Sequence, residues 1–119
     1  MPKILVVEDA MALLKAWVKR FSDSGFKVLP ANNSQSAIKA AIEEHPDLVV
    51  LDLPYTQGQE VIKKLREYKW GNSVPVLFLN SWQDREIFVE YSIGLEDHLP
   101  YNWSLQEVVE KAKHKLALA

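Results

Sequence analysis

The sequence predicts a doubly wound α/β fold, with five βα units in series. Three observations carry that prediction. Short Val/Ile/Leu runs without polar alternation recur along the chain, as expected of strands buried on both faces of a parallel sheet. Longer stretches between them place apolar residues at helical spacing. Breaker residues fall at the junctions between the two patterns. Right-handed crossovers then put helices on both faces of the sheet.

Taken in order, the first strand is predicted at Ile4 to Val7 and the first helix on the stripe Leu14, Trp17, Val18 and Phe21. Gly25 stands where a left-handed residue would end that helix. The second strand is predicted at Val28 to Ala31, followed by the stripe Ala37, Ile38, Ala41 and Ile42. Pro46 precedes a third strand at Leu48 to Leu51, and Val61, Ile62 and Leu65 mark the third helix. Pro75 precedes a fourth strand at Val76 to Leu79, and Ile87, Phe88 and Tyr91 mark a fourth helix. A weaker fifth strand falls at His98-Leu99. Ser104-Leu105-Gln106-Glu107 reads as a capping box opening a last helix striped by Leu105, Val108, Val109, Ala112 and Leu116.

With 119 residues and 48% hydrophobic content, residues 1–119 are expected to form a single domain with a buried core. The formal net charge of -2 and the lack of a basic stripe argue against nucleic-acid binding by this domain. The chain has no cysteine, which excludes disulfides, thiolate metal sites and Cys nucleophiles. The opening apolar run stops at Glu8-Asp9, too soon for a signal peptide. No stretch is long and apolar enough to span a bilayer, so a cytoplasmic chain without membrane contact is expected.

Three acids occupy related places: Glu8 and Asp9 directly after the first strand, Asp52 directly after the third. In a flavodoxin-like sheet of order 2-1-3-4-5 those strands are neighbours, and ligands bind at their carboxyl ends where the chain order reverses. The three carboxylates are therefore expected in one crevice. Adjacent carboxylates repel unless protonated or given a cation. An oxygen-only set suits Mg²⁺, which accepts one or two carboxylates and retains waters and phosphate oxygens. Asp9 alone would be an ordinary loop residue ahead of a helix; the significance lies in the set.

Lys3-Ile4-Leu5-Val6-Val7-Glu8-Asp9, Pro46-Asp47-Leu48-Val49-Val50-Leu51-Asp52-Leu53, Val74-Pro75-Val76-Leu77-Phe78-Leu79 and Gly94-Leu95-Glu96-Asp97-His98-Leu99 follow one another in an order and spacing that resemble the bacterial response-regulator receiver family over essentially the whole chain. The resemblance implies a phosphorelay receiver with Asp52 as phosphoacceptor. It further implies Glu8, Asp9 and Asp52 as Mg²⁺-binding acids, with the Pro54 backbone carbonyl as a further ligand. A histidine kinase or phosphotransfer protein would be the phosphoryl donor.

Elsewhere the chain departs from the family pattern. Asn80, followed by Ser81, stands where the family has a Thr or Ser that contacts the phosphoryl group. Tyr101 stands for the Lys that pairs with the acceptor, keeping a donor but no charge. His98 replaces the aromatic that reports the switch, and the loop Leu53-Pro54-Tyr55-Thr56-Gln57-Gly58 is shorter than usual. Two readings follow: a phosphoacceptor with rebuilt switch contacts, or a phosphorylation-independent pseudo-receiver working as a protein-protein interaction module.

Trp82, Tyr91, Tyr101 and Trp103 cluster about the fourth helix, fifth strand and fifth helix. Most such aromatics serve the core, as is expected of Tyr91 and Trp103 first, whereas exposed ones would mark the face through which the resemblance implies docking of a downstream protein or a second copy. Trp70 is either an exposed anchor or a local plug, and His45 and His114 are expected on the surface. An enzyme is disfavoured. A phosphate-binding cofactor site would want Ser, Thr or Gly after the first strand, where Glu8-Asp9-Ala10-Met11 would repel it. An aspartyl phosphatase would want a second acid shortly after Asp52, and Leu53-Pro54-Tyr55 supplies none.

Overall fold

The computed structural model describes residues 1–80, 96–100 and 104–118. Strands β1 (Lys3–Glu8), β2 (Lys27–Ala31), β3 (Leu48–Asp52), β4 (Val76–Asn80) and β5 (Glu96–Pro100) form one sheet in the order β2-β1-β3-β4-β5. Every pairing is parallel. Four helices lie among the described residues: α1 (Met11–Asp23), α2 (Ser34–Glu44), α3 (Tyr55–Arg66) and α4 (Leu105–Leu118). The architecture is the α/β layering expected from the alternating patterns. The fourth predicted helix, with Ile87, Phe88 and Tyr91, lies outside the described residues.

Alternation along the strands divides the interior into two layers. Leu5, Val7, Val49, Leu51, Val76 and Phe78 pack against Ala37 and Ala41 of α2 and Val61, Ile62 and Leu65 of α3. Ile4, Val6, Leu48, Val50, Leu77, Leu79 and Leu99 face Leu14, Trp17 and Phe21 of α1 and Val108, Val109 and Ala112 of α4. Ile4 to Val7 and Leu48 to Leu51 are all fully buried, which is why these runs are apolar throughout. Pro30 is tolerated in β2 because that strand is a sheet edge.

The helix ends follow local chemistry. Gly25 has φ 95, the left-handed backbone expected after α1. Ser104 and Glu107 form the reciprocal capping box, at 3.1 and 3.0 Å. At α2 the Asn33 side chain accepts from the Ser36 N–H at 2.8 Å, a cap the hydrophobic pattern did not reveal.

One expectation is corrected: Ile42, on the predicted buried stripe of α2, is 38% exposed because Ala37 and Ala41 take the inward positions. His45 is exposed as expected but not idle. It holds a left-handed conformation (φ 48) and stacks on the Trp70 ring at 4.3 Å. Trp70, stacked also on Tyr68 and packed against the α2–α3 core layer, is a plug.

Candidate functional site

The register of β1 and β3 builds the site. Glu8 and Asp52 are paired across the two strands at their carboxyl ends. Parity then sets their direction. Glu8 continues the row Ile4, Val6, and Asp52 the row Leu48, Val50, so both belong to the α1 side of the sheet. The end of the strands thus places two acids side by side above a purely apolar layer.

Glu8 is 3% exposed, one of few polar groups in the buried set, and each of its oxygens has a protein donor. The Ala10 backbone N–H donates to Oε2 at 3.1 Å. The Trp17 indole Nε1–H donates to Oε1 at 3.2 Å, a buried contact. Burial chiefly, and then the hydrogen bond to Asp52, push the Glu8 carboxyl up from 4.5 to about 8. The Ala10 and Trp17 donors, which favour the carboxylate, pull the other way. At neutral pH, and with no cation, the Glu8 carboxyl is therefore held toward its protonated form, which can donate to Asp52.

Asp52 is half-buried. Asp9 is exposed, because the chain leaves the sheet after Glu8 and the next residue faces solvent. Among the described residues no three His, Cys, Asp or Glu side chains come together as a metal-holding group. Of the three acids expected in one crevice, the structure pairs Glu8 with Asp52 and leaves Asp9 exposed. The Pro54 carbonyl takes part in a helix bond. Pro54 is the N-cap of α3, and its oxygen accepts from the Gly58 N–H at 3.0 Å as the first bond of that helix. Helix α3 begins at Tyr55 and draws Pro54 into its first turn.

The donor set still suits a hard divalent ion, because adjacent carboxyl groups that repel when ionised are a pair that Mg²⁺ would relieve. Asn80 ends β4, its backbone paired with Pro100, and His98 lies opposite Phe78 in β5. Ser81, Trp82, Tyr91, Tyr101 and Trp103 lie outside the described residues.

Sequence reasoning missed the tie between Trp17 and Glu8. The signal was present: a buried indole seeks an acceptor, a buried carboxyl seeks donors, and strand parity puts both in one layer.

A family model, the response regulator receiver domain, matches residues 4–113. The alkaline phosphatase synthesis transcriptional regulatory protein PhoP of Bacillus subtilis is 35% identical over 115 residues, which cover 93% of this chain and 47% of that protein. The transcriptional regulatory protein PrrA of Mycobacterium tuberculosis is 34% identical over 117 residues, covering 94% of this chain and 48% of that protein. The chain therefore spans about half the length of the curated relatives it matches. In structure, the receiver domain of the Francisella response regulator 1452 superposes with a TM-score of 0.80 at 20% identity, covering 98% of each chain, a likeness of fold.

Proposed function

The chain belongs to the response regulator receiver domain family, and on that premise we propose that it is a phosphoacceptor receiver in two-component phosphorelay signalling, with Asp52 as the acceptor. The observation that carries this reading is the pairing of Glu8 with Asp52 at the carboxyl ends of neighbouring parallel strands. Asp52 is the more open of the two acids and Glu8 the more buried, which suits Asp52 to reaction and Glu8 to support. In the transfer, an Asp52 carboxylate oxygen bonds to phosphorus while the donor's phosphorus–nitrogen bond breaks, its electron pair returning to the donor histidine.

Mg²⁺ bound by Glu8 and Asp52, with Asp9 as a further acid, would supply the positive charge that lets an anionic phosphoryl group approach an anionic acceptor. Asn80, Ser81 and Tyr101 supply neutral donors to the phosphoryl oxygens where a charged lysine is usual, and His98 replaces the aromatic reporter. A charge-assisted hydrogen bond is worth about 1.5–3 kcal/mol against about 1 for a neutral one, so the phosphorylated state is more weakly favoured. The donor is a histidine kinase or phosphotransfer protein. The output is contact with a downstream protein or a second copy through the face bearing Trp82, Tyr91 and Trp103. Since the matched relatives are about twice as long, an effector region joined to this domain is part of the proposal.

A second reading is the phosphorylation-independent pseudo-receiver. It draws on the Pro54 carbonyl bonded to Gly58 and on the absence of a three-acid group among the described residues.

Intact mass decides between them. With Mg²⁺ and acetyl phosphate the wild-type chain is expected to gain one phosphoryl group and Asp52→Asn none. A wild-type chain that stays unmodified under conditions that label an ordinary receiver leaves the pseudo-receiver standing.

A further inference from the structure

The pair Glu8–Asp52 accounts for two acids, but it leaves open why a tryptophan faces them from the core. Trp17 is 3% exposed, lies on the buried stripe of α1 and rests against Phe21 at a centroid distance of 6.1 Å. A phenylalanine or leucine would fill the same apolar place. What the indole adds is one N–H, and that N–H is spent on Glu8 Oε1 at 3.2 Å. The other oxygen of the same carboxyl is held by the Ala10 N–H at 3.1 Å. These donors come from two directions, one from the start of α1 and one from its middle. Together they fix the plane of the carboxyl, whose χ3 torsion is otherwise broad.

We infer that Trp17 is a positioning residue of the acceptor site: its indole N–H and the Ala10 amide grip Glu8 so that the carboxyl is presented to Asp52 in one orientation. The inference rests on the functional reading above and deepens it. Groups that orient a metal-binding side chain through a hydrogen bond act on affinity without touching the ion. Trp17 belongs to the core by its ring and to the site by its nitrogen.

The test uses the whole chain and two substitutions in the same core layer. Trp17→Phe keeps an aromatic ring and deletes the donor; Phe21→Leu loosens the packing and leaves the donor in place. Mg²⁺ titration is expected to show affinity lowered roughly tenfold in Trp17→Phe, the scale on which such orienting partners act. Phe21→Leu is expected to match wild type in affinity while losing stability. A second readout needs no metal. In the ¹⁵N–¹H spectrum of the Mg²⁺-free protein, the Trp17 indole resonance, assigned by its loss in Trp17→Phe, should move in Glu8→Ala while those of the other tryptophans stay.

Equal affinities in Trp17→Phe and wild type overturn the inference, as does equal weakening in both core variants, which would make the effect one of packing. An indole resonance indifferent to Glu8→Ala also overturns it. A wild-type chain with no response to Mg²⁺ overturns the receiver reading and this inference with it, an outcome separate from the other three.

Discussion

The Glu8 carboxyl has lost its water and gained a like-charged neighbour, and both effects disfavour its ionised form. Its proton is held up to about pH 8 in the folded chain against 4.5 ordinarily, so the folded state binds that proton more tightly than the unfolded state. Linkage then fixes the sign. Between 4.5 and about 8 the unfolded chain has shed this proton and the folded chain has not, so rising pH erodes stability across that window. Below it the contribution is complete, and above it nothing more is lost. Thermal melting of the Mg²⁺-free protein is expected to show this decline, and Glu8→Gln, which cannot ionise, is expected to flatten it. An unchanged pH profile in Glu8→Gln would mean that the decline has another source. The raised value was not legible in the sequence, which shows Glu8 only as an acid after an apolar run. Burial and the facing Asp52 come from strand register.

Between elements, the seat of α3 on β4 depends on Gly58. A Cβ at that position would overlap the Phe78 ring, a side chain that is fully buried and has nowhere to go. Two effects of Gly58→Ala oppose each other. Alanine favours the helix interior by about 1 kcal/mol over glycine, whereas overpacking a closed core costs about 1–3 kcal/mol. The overlap is with a ring held between α3 and the sheet, so the second should win, with a net loss of up to about 2 kcal/mol in urea denaturation. Adding Phe78→Leu should recover part of that loss; a Gly58→Ala chain as stable as wild type would show that the ring moves aside. Element boundaries were legible where a residue type announces its backbone: Gly25 after α1, and the pair Ser104 and Glu107 at α4. They were illegible where a contact overrides type. His45 takes a left-handed conformation usually left to glycine while its ring rests on Trp70, which approaches from a distant loop.

Across the molecule, one sheet serves two cores, with α2 and α3 on one face and α1 and α4 on the other. The strands cannot lose one layer and keep the other, because adjacent residues of the same strand belong to opposite layers. Unfolding is therefore expected to be a single cooperative event, with far-ultraviolet circular dichroism and tryptophan fluorescence following one transition in urea. Separate midpoints would show that the two layers melt independently. By itself the sequence determined the α/β class and the places of four strand runs, because continuous apolar stretches bounded by Gly and Pro admit few other folds. Of these, the run at residues 28–31 proved to be an edge strand with only Ala31 buried. The sequence also placed Glu8 and Asp52 at strand ends, and the doubly wound order 2-1-3-4-5 makes those strands neighbours. Tertiary structure alone decided that Asp9 turns to solvent, that the Pro54 carbonyl joins α3, and that Trp17 reaches up to Glu8. Each of these depends on where a backbone leaves the sheet or which row a side chain continues, and such geometry exists only once the strands are in register.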